Sequence, residues 1–157
     1  MASRTPTFNV RVYGILMDSK KRVLVSDEFI RGNYFTKFPG GGLDFGEGTR
    51  DCVKREFMEE INLDVEVGDH IYTTDFFQIS AFNNIDQIIC IYYFVKAKEP
   101  FLFETKTIPF DFLPNQVADV TGTAEVRRWI EWNDLNEESV SLPIDKVVVK
   151  KLKELSL

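Results

Sequence analysis

Clustered apolar residues in the first third of the chain predict short β-strands. The segment Phe8–Met17 is rich in valine, tyrosine and isoleucine, which favour strands, and Val23–Ser26 is a second short run of this kind. The polar residues Asp18–Lys21 between them predict a turn, so we expect the two strands to pair as a hairpin. A loop over Asp27–Asn33 follows. Tyr34–Phe38 is then expected to be extended, because the next residue is a proline.

The apolar period changes to four residues after the glycines that follow this extended segment. Val53, Phe57 and Ile61 recur at this spacing, and they predict one apolar side of a helix. Thr49 is the expected N-cap of this helix. The helix is expected to end at Asn62, because asparagine tolerates the left-handed backbone of a helix terminus.

Aromatic and β-branched residues return in the second half of the chain. Val65–Gln78 and Gln87–Lys98 predict a long hairpin, residues 99–124 predict a long loop, and Glu125–Trp132 predicts a last strand. Pro143–Leu157 predicts a terminal helix, since proline suits the first helical position. The length of 157 residues predicts one domain over residues 1–157.

The composition indicates a soluble protein in a reducing compartment. The net charge of −6 disfavours a surface for nucleic acid. Cys52 and Cys90 have no CxxC neighbour, which is typical of proteins that form no disulfides. The first ten residues lack the apolar core of a signal peptide, and the apolar run Ile88–Val95 is too short to cross a bilayer. We therefore expect a cytoplasmic protein with neither a nucleic acid nor a membrane as its partner.

Six carboxylates lie between Gly40 and Leu63, and three of them are neighbours on the predicted helix. Glu56, Glu59 and Glu60 are spaced i, i+3 and i+4, and each such pair of like charges costs roughly 0.2–0.5 kcal/mol. That repulsion indicates either a solvated acidic face or a bound cation. Carboxylate oxygens suit Mg²⁺ or Mn²⁺, and Mg²⁺ in proteins characteristically binds substrate phosphates as well.

Two other glycine-rich phosphate motifs do not fit this stretch. A P-loop requires a lysine after its last glycine, and Glu47 stands at that position. A dinucleotide-binding GxGxxG loop requires a third glycine where Phe45 stands. Both motifs would also need a positive cradle for phosphate, whereas this loop is acidic.

The residue spacing instead resembles the Nudix box, GX5EX7REUXEEXGU, in which U is a bulky apolar residue. Eight of its nine specified positions match, namely Gly41, Glu47, Arg55, Glu56, Phe57, Glu59, Glu60 and Leu63. The departure is Asn62 in place of the final glycine, and asparagine is the residue that next best tolerates positive φ. Two further segments are also similar to this family: Phe38–Gly41, and the strand that contains Trp129 with the turn Asn133–Leu135 after it.

This resemblance implies the Nudix fold, an α/β/α sandwich around a mixed β-sheet. It also implies hydrolysis of a nucleoside diphosphate linked to a further moiety X, with Mg²⁺ as cofactor and Mn²⁺ as the alternative ion. The implied metal ligands are Glu56, Glu59, Glu60 and the carbonyl of Gly40. Glu56 or Glu59 would orient or deprotonate the attacking water. Glu47 would support the cluster, and Arg55 would hold the loop against the helix by pairing with a carboxylate.

Residues outside the carboxylate helix are candidates for substrate contacts or for a further acid. The substrate candidates are Arg31, Tyr34, Lys37 and Gly41. Asp119 and Glu125 are candidates for an acid contributed from the region of the last strand. Phe76, Phe77 and Phe82 are candidates for stacking on a nucleobase.

Two alternative functions share the same fold. A Nudix-fold isomerase would require a catalytic cysteine, and the positions of Cys52 in the helix and Cys90 in a strand count against it. A non-catalytic nucleotide sensor would be expected to lack glutamates of the box. The expected partner is a small nucleotide: a nucleoside triphosphate, which we favour, a nucleotide sugar or a dinucleoside polyphosphate. A homodimer is compatible with the sequence.

Overall fold

Two β-sheets lie between two helices in the computed structural model, which describes residues 4–155 and Leu157. The strands are β1 (Phe8–Leu16), β2 (Arg22–Ile30), β3 (Asn33–Lys37), β4 (Gly40–Gly42), β5 (Glu66–Thr73), β6 (Gln87–Lys96) and β7 (Thr123–Glu131). The helices are α1 (Thr49–Ile61) and α2 (Pro143–Glu154). Single turns of 3-10 helix occur at Pro114–Gln116, Trp132–Asp134 and Glu137–Ser139.

The two helices cover opposite sides of the sheets. One sheet has the order β4-β1-β6-β5, with β1 and β6 parallel, and the other has the antiparallel order β3-β2-β7. Helix α1 packs in a cluster with Val12 and Leu16 of β1, whereas α2 packs in a cluster with Tyr13 and Ile15. Successive residues of a strand face opposite sides of a sheet. The predicted α/β sandwich is therefore confirmed, with two sheets in place of one.

The predicted hairpin between the first two strands is wrong. β1 pairs with β4 and β6, and β2 pairs with β3 and β7, so that the two strands meet at a bridge between Met17 and Val23. Both strands are largely buried, so each is completed by partners on either edge from distant parts of the chain. A polar turn reverses the chain locally, but it does not determine which strands pair afterwards.

The predicted loop over Asp27–Asn33 is also wrong, because β2 continues to Ile30 and returns as β3 at Asn33. The turn consists of Arg31 and Gly32, with φ of +49° and +84°. Two turn residues at positive φ match the twist of antiparallel strands. Arginine is an uncommon residue for such a turn, which concealed it. The correction places Glu28 on a strand, not in a loop.

Two residues within the box, Gly48 and Asn62, cap the ends of helix α1. Gly48 is its N-cap, and the hydroxyl of Thr49 instead lies 2.7 Å from that of Tyr93, so the prediction of Thr49 as N-cap is wrong. Asn62 adopts the predicted left-handed conformation, with φ of +52°, and its N–H bonds the carbonyl of Met58. Val53 and Phe57 are fully buried, as their spacing predicts.

The second half of the chain follows the prediction with shifted boundaries. β5 and β6 pair as the expected hairpin, although β5 ends at Thr73. β7 begins at Thr123, and α2 begins at Pro143 and ends at Glu154. Ser156, within the predicted terminal helix, lies outside the described residues, as do residues 1–3 of the predicted domain. Among residues 4–155 and Leu157, no helix is long and apolar enough to cross a membrane.

Candidate active site

Two glycines of β4 lie at positions that have no room for a side chain. A Cβ atom at Gly41 would lie 2.5 Å from the carboxyl carbon of Glu56, so a side chain at this position would displace that carboxylate. Gly40 has φ of +149°, and a Cβ there would lie 2.2 Å from the carbonyl oxygen of Val12. A side chain at Gly40 would therefore disrupt the pairing of β4 with β1, whereas one at Gly41 would displace the carboxylate of Glu56.

We use the name acidic cluster for six glutamates: the box residues Glu47, Glu56, Glu59 and Glu60, with Glu28 of β2 and Glu125 of β7. Arg55 pairs with the first three of them. Its guanidinium makes two hydrogen bonds to the carboxylate of Glu47, at 2.9 and 2.6 Å, and a third to the carbonyl of Gly42 at 3.0 Å. It also donates to Glu56 at 2.9 Å and to Glu59 at 3.2 Å. Such charge-assisted bonds hold the loop that carries Glu47 against the helix.

Arg55 keeps Glu47 ionised. The hydrogen bonds from Arg55, followed by that from the backbone N–H of Asp44, lower the pKa of Glu47 to about 2. In turn, these carboxylates raise the pKa of Arg55 above its ordinary value. Glu47 and Arg55 therefore both remain charged well below neutral pH.

The three helix glutamates differ in exposure. The side chains of Glu56 and Glu60 are 14% and 22% exposed, whereas that of Glu59 is 59% exposed. Glu56 and Glu60 therefore lie at the junction of the helix and the sheets. Glu59 faces solvent and contacts Arg55.

A second arginine, Arg127 of β7, lies on the other side of the cluster. One of its nitrogens, Nη2, donates to Glu60 and to Glu125, each at 3.2 Å, and Nη1 donates to Ser26 at 3.1 Å. Burial raises the pKa of Glu60 to about 8, although Arg127 acts in the opposite direction. Of the two candidate acids outside the box, the structure places Glu125 beside the helix glutamates. The side chain of Asp119 instead bonds Thr121 within its own loop.

Strands β2 and β7 bring residues to the glutamates of α1 that the sequence prediction missed. Glu28 lies directly opposite Glu125 in the strand register, and Ser26 lies opposite Arg127. Glu28, Ser26 and Leu24 share one face of β2, the face that Leu24 packs toward α1. The alternation of these three residues was the available signal, but it was obscured because the predicted strand ended at Ser26 and Glu28 was assigned to a loop.

A groove with a cationic and aromatic lining adjoins the acidic cluster. It has a volume of about 500 Å³, and its lining includes Arg11, Glu28, Arg31, Phe35, Lys37 and Phe82. Lys37 forms an ion pair with Glu28 at 3.2 Å, and its ammonium group lies 5.4 Å from the ring centre of Phe82. The structure thus brings Arg31 and Lys37 together with one of the three candidate phenylalanines.

Tyr34 lies elsewhere. In the β2–β3 register it is opposite Phe29, whereas Phe35 is opposite Glu28, so Tyr34 faces the other side of the sheet. Its ring packs against that of Phe29 in β2, with ring centroids 5.2 Å apart. It also packs against Phe110 and Phe112 of the long loop, at centroid distances of 5.4 and 6.2 Å. The structure therefore does not bring Tyr34 to the groove with Arg31 and Lys37.

The donor set of the cluster has the chemistry of a hard divalent cation site. Several carboxylates and nearby backbone carbonyls are the oxygen ligands that Mg²⁺ and Mn²⁺ prefer. Within the described part of the chain, however, no three acidic, histidine or cysteine side chains are already arranged to hold a metal ion. The two arginines explain this, because Arg55 and Arg127 occupy oxygens of five glutamates. Cation binding would exchange some of these ion pairs for metal–oxygen bonds.

Neither cysteine is available as a nucleophile. Cys52 and Cys90 are both buried, and burial raises the pKa of each thiol to about 12. The reactive form of cysteine is the thiolate, which such a pKa excludes at neutral pH. This observation counts against the isomerase alternative, which would require a catalytic cysteine.

Comparisons with known proteins agree with this geometry. The family model described as NUDIX domain matches residues 7–151. Solved structures with the same fold include the E. coli ORF135 protein (14% identity, TM-score 0.67, covering 96% of this chain and 91% of that one). A NUDIX hydrolase from Nitrosomonas europaea matches with 18% identity and TM-score 0.65, covering 96% and 90%. The MutT protein from Methanosarcina mazei Go1 matches with 14% identity and TM-score 0.62, covering 98% and 97%. A search of curated proteins gives no significant match.

Proposed function

The chain belongs to the NUDIX domain family and is a Nudix pyrophosphohydrolase, and we propose that it hydrolyses nucleoside triphosphates in the cytoplasm with Mg²⁺ as its cofactor. The broader class of substrate is a nucleoside diphosphate linked to a moiety X. Nudix hydrolases use divalent metals, and the hard oxygen donors of the site suit Mg²⁺, with Mn²⁺ as the alternative ion.

The observation that carries this proposal is the contact between an acidic cluster and a cationic groove. Glu28 belongs to both, since it faces Glu125 across the strands and pairs with Lys37 in the groove. A substrate with several phosphates requires this combination: carboxylates for a bridging cation and basic side chains for the remaining phosphate charge. A protein that merely displayed an acidic surface would not need Arg31 and Lys37 beside it.

Each residue of the site then has a distinct role. Glu56, Glu59, Glu60 and the carbonyl of Gly40 would hold the cation. When bound, Mg²⁺ neutralises charge on the phosphates and makes a bound water more acidic. Glu59 is the most exposed of the three glutamates, so it is accessible to the attacking water and would accept its proton. Arg55 and Glu47 hold the loop in position.

The size and lining of the groove favour a mononucleotide. A volume of about 500 Å³ is within the range of small-ligand sites, and it suits one nucleotide. Phe35 and Phe82, whose ring centres are 5.3 Å apart, offer aromatic faces for the nucleobase. Arg11, Arg31 and Lys37 would contact the phosphates. A dinucleoside polyphosphate would extend beyond this groove.

A nucleotide panel tests the proposal. The purified protein is incubated with nucleoside triphosphates, nucleotide sugars and dinucleoside polyphosphates, with and without Mg²⁺, and the products are separated by chromatography. We expect a nucleoside triphosphate to give a nucleoside monophosphate and pyrophosphate, and only when Mg²⁺ is present. Hydrolysis restricted to nucleotide sugars would refute the triphosphate assignment. The absence of turnover on every compound would favour the sensor alternative.

A matched pair of variants tests the role of Glu59. Glu59→Gln removes the proton acceptor from an exposed side chain, so we expect kcat to fall about tenfold or more with folding retained. Glu66→Gln is the control, since Glu66 is 74% exposed and pairs loosely with Lys96 at 3.8 Å. Its kcat should equal that of the wild type. Unchanged turnover in Glu59→Gln would remove this residue from the mechanism.

A further inference from the structure

Arg127 is an unusual residue for the interior of an acidic site. Its side chain is 5% exposed, and its guanidinium is shared between Glu60 of α1 and Glu125 of β7. Its Nε atom is buried, and no atom of the described residues accepts a hydrogen bond from it. A buried arginine with an unmatched donor is costly, because desolvation of the charge must be offset by its partners. Stability alone is therefore a poor reason for this residue at this position.

The charges around Arg127 indicate what it does. Glu60 and Glu125 both approach the same Nη2 nitrogen, and Glu28 lies across the strands from Glu125. Three carboxylates that meet at one place repel each other strongly when partly buried. The guanidinium stands between two of them and supplies one positive charge where a cation would otherwise be required.

We propose that Arg127 is a built-in counter-cation that occupies the place of a metal ion between Glu60 and Glu125. This inference rests on the proposed metal site and concerns the number of divalent ions that the site binds and how tightly it binds them. With Arg127 present, Glu60 and Glu125 already share a positively charged partner, so the site binds fewer divalent ions, or binds them more weakly, than it would without the arginine. Arg127 is thus a positioning residue, acting through the carboxylates and not through contact with the substrate.

Two substitutions separate charge from shape. Arg127→Met removes the charge and retains an unbranched side chain, and Arg127→Lys retains the charge but loses the shared fork of donors. Arg128→Lys is the matched control, because Arg128 is the next residue of β7 and pairs instead with Asp27, through Nε at 2.7 Å. The lysine variants keep the test informative if Arg127→Met fails to fold.

Mn²⁺ binding without substrate is the decisive measurement. Titration followed by electron paramagnetic resonance gives the number of ions bound per chain and their dissociation constants. For Arg127→Met we expect either one additional Mn²⁺ per chain or about tenfold tighter binding, because the incoming cation no longer meets a like charge at the carboxylates. Arg127→Lys should resemble the wild type if it folds, because it keeps the charge. Arg128→Lys should also match the wild type.

The outcomes distinguish this inference from the proposed function. Wild-type protein that binds no Mn²⁺ would refute the metal site itself. Wild-type protein that binds Mn²⁺, with an unchanged number and affinity of ions in Arg127→Met, would show that Arg127 is structural and would overturn the inference. Weaker binding in Arg127→Met would overturn it too, because the arginine would then promote metal binding. If Arg127→Met does not fold, Arg127→Lys becomes the test. Additional or tighter Mn²⁺ binding by this variant would contradict the inference, because the positive charge is retained.

Discussion

A buried carboxylate on the side of the sheets opposite α1 makes the stability of this protein sensitive to pH. Asp145 lies in the first turn of α2, is 3% exposed and accepts a hydrogen bond from the hydroxyl of Tyr92. Burial raises the pKa of Asp145 from 3.8 to about 6, against the hydrogen bond from Tyr92 and the charge of Lys37, which act in the opposite direction. We predict that Asp145→Asn removes a pH-dependent loss of stability.

The direction and size of this effect follow from proton linkage. Between about pH 4 and 6 the folded state binds more protons at Asp145 than the unfolded state does, so the free energy of unfolding falls as the pH rises through this window. A change in pKa from 3.8 to about 6 corresponds to about 3 kcal/mol. Asparagine carries no charge at any pH in this window. The stability of Asp145→Asn relative to the wild type should therefore increase by up to about 3 kcal/mol between pH 4 and 7.

Urea denaturation followed by tryptophan fluorescence, at about pH 4, 5, 6 and 7, measures this difference. Groups elsewhere, such as Glu47 with its lowered pKa, affect both proteins alike and cancel. Tyr92→Phe is an informative companion, because loss of its hydrogen bond should raise the pKa of Asp145 further and move the window to higher pH. An Asp145→Asn difference that is equal at pH 4 and pH 7 would refute the reasoning.

Three further predictions concern the glycines and the asparagine that position the carboxylate helix. Gly14→Ala places a Cβ 2.7 Å from the Phe57 ring, and should lower the free energy of unfolding by about 1–3 kcal/mol in a denaturant titration. Gly41→Ala should reduce kcat severely with little change in melting temperature, because its Cβ displaces only the flexible carboxylate of Glu56. A melting temperature that fell as far as in Gly14→Ala would contradict this prediction. Asn62→Ala should cost about 1–2 kcal/mol in urea denaturation because φ is +52°, whereas Asn62→Gly should be near neutral. Equal stabilities of the two Asn62 variants would show that this backbone conformation is not strained.

The helix of the box, and the grouping of its three glutamates along one side of it, were predictable from the sequence alone. These features depend on residues within one or two turns of each other, so the spacing of Val53, Phe57 and the glutamates was sufficient. The left-handed backbone at Asn62 was predictable for the same reason. The fold followed from the resemblance to a known family, because local patterns do not identify strand partners.

Tertiary structure decided the remainder of the site. Glu28, Ser26 and Arg127 come from two strands whose pairing joins residues about one hundred positions apart, and Arg127 meets Glu60 across 67 positions. Local periodicity contains no information about such register, and a single misassigned turn at Arg31 hid Glu28 from the sequence prediction. The structure also separated Tyr34 from Lys37, because alternate residues of β3 face opposite sides of the sheet. The carboxylates of the helix and Arg55 beside them were thus predictable from the sequence, whereas the position of Arg127 beside Glu60 depended on the pairing of β2 with β7.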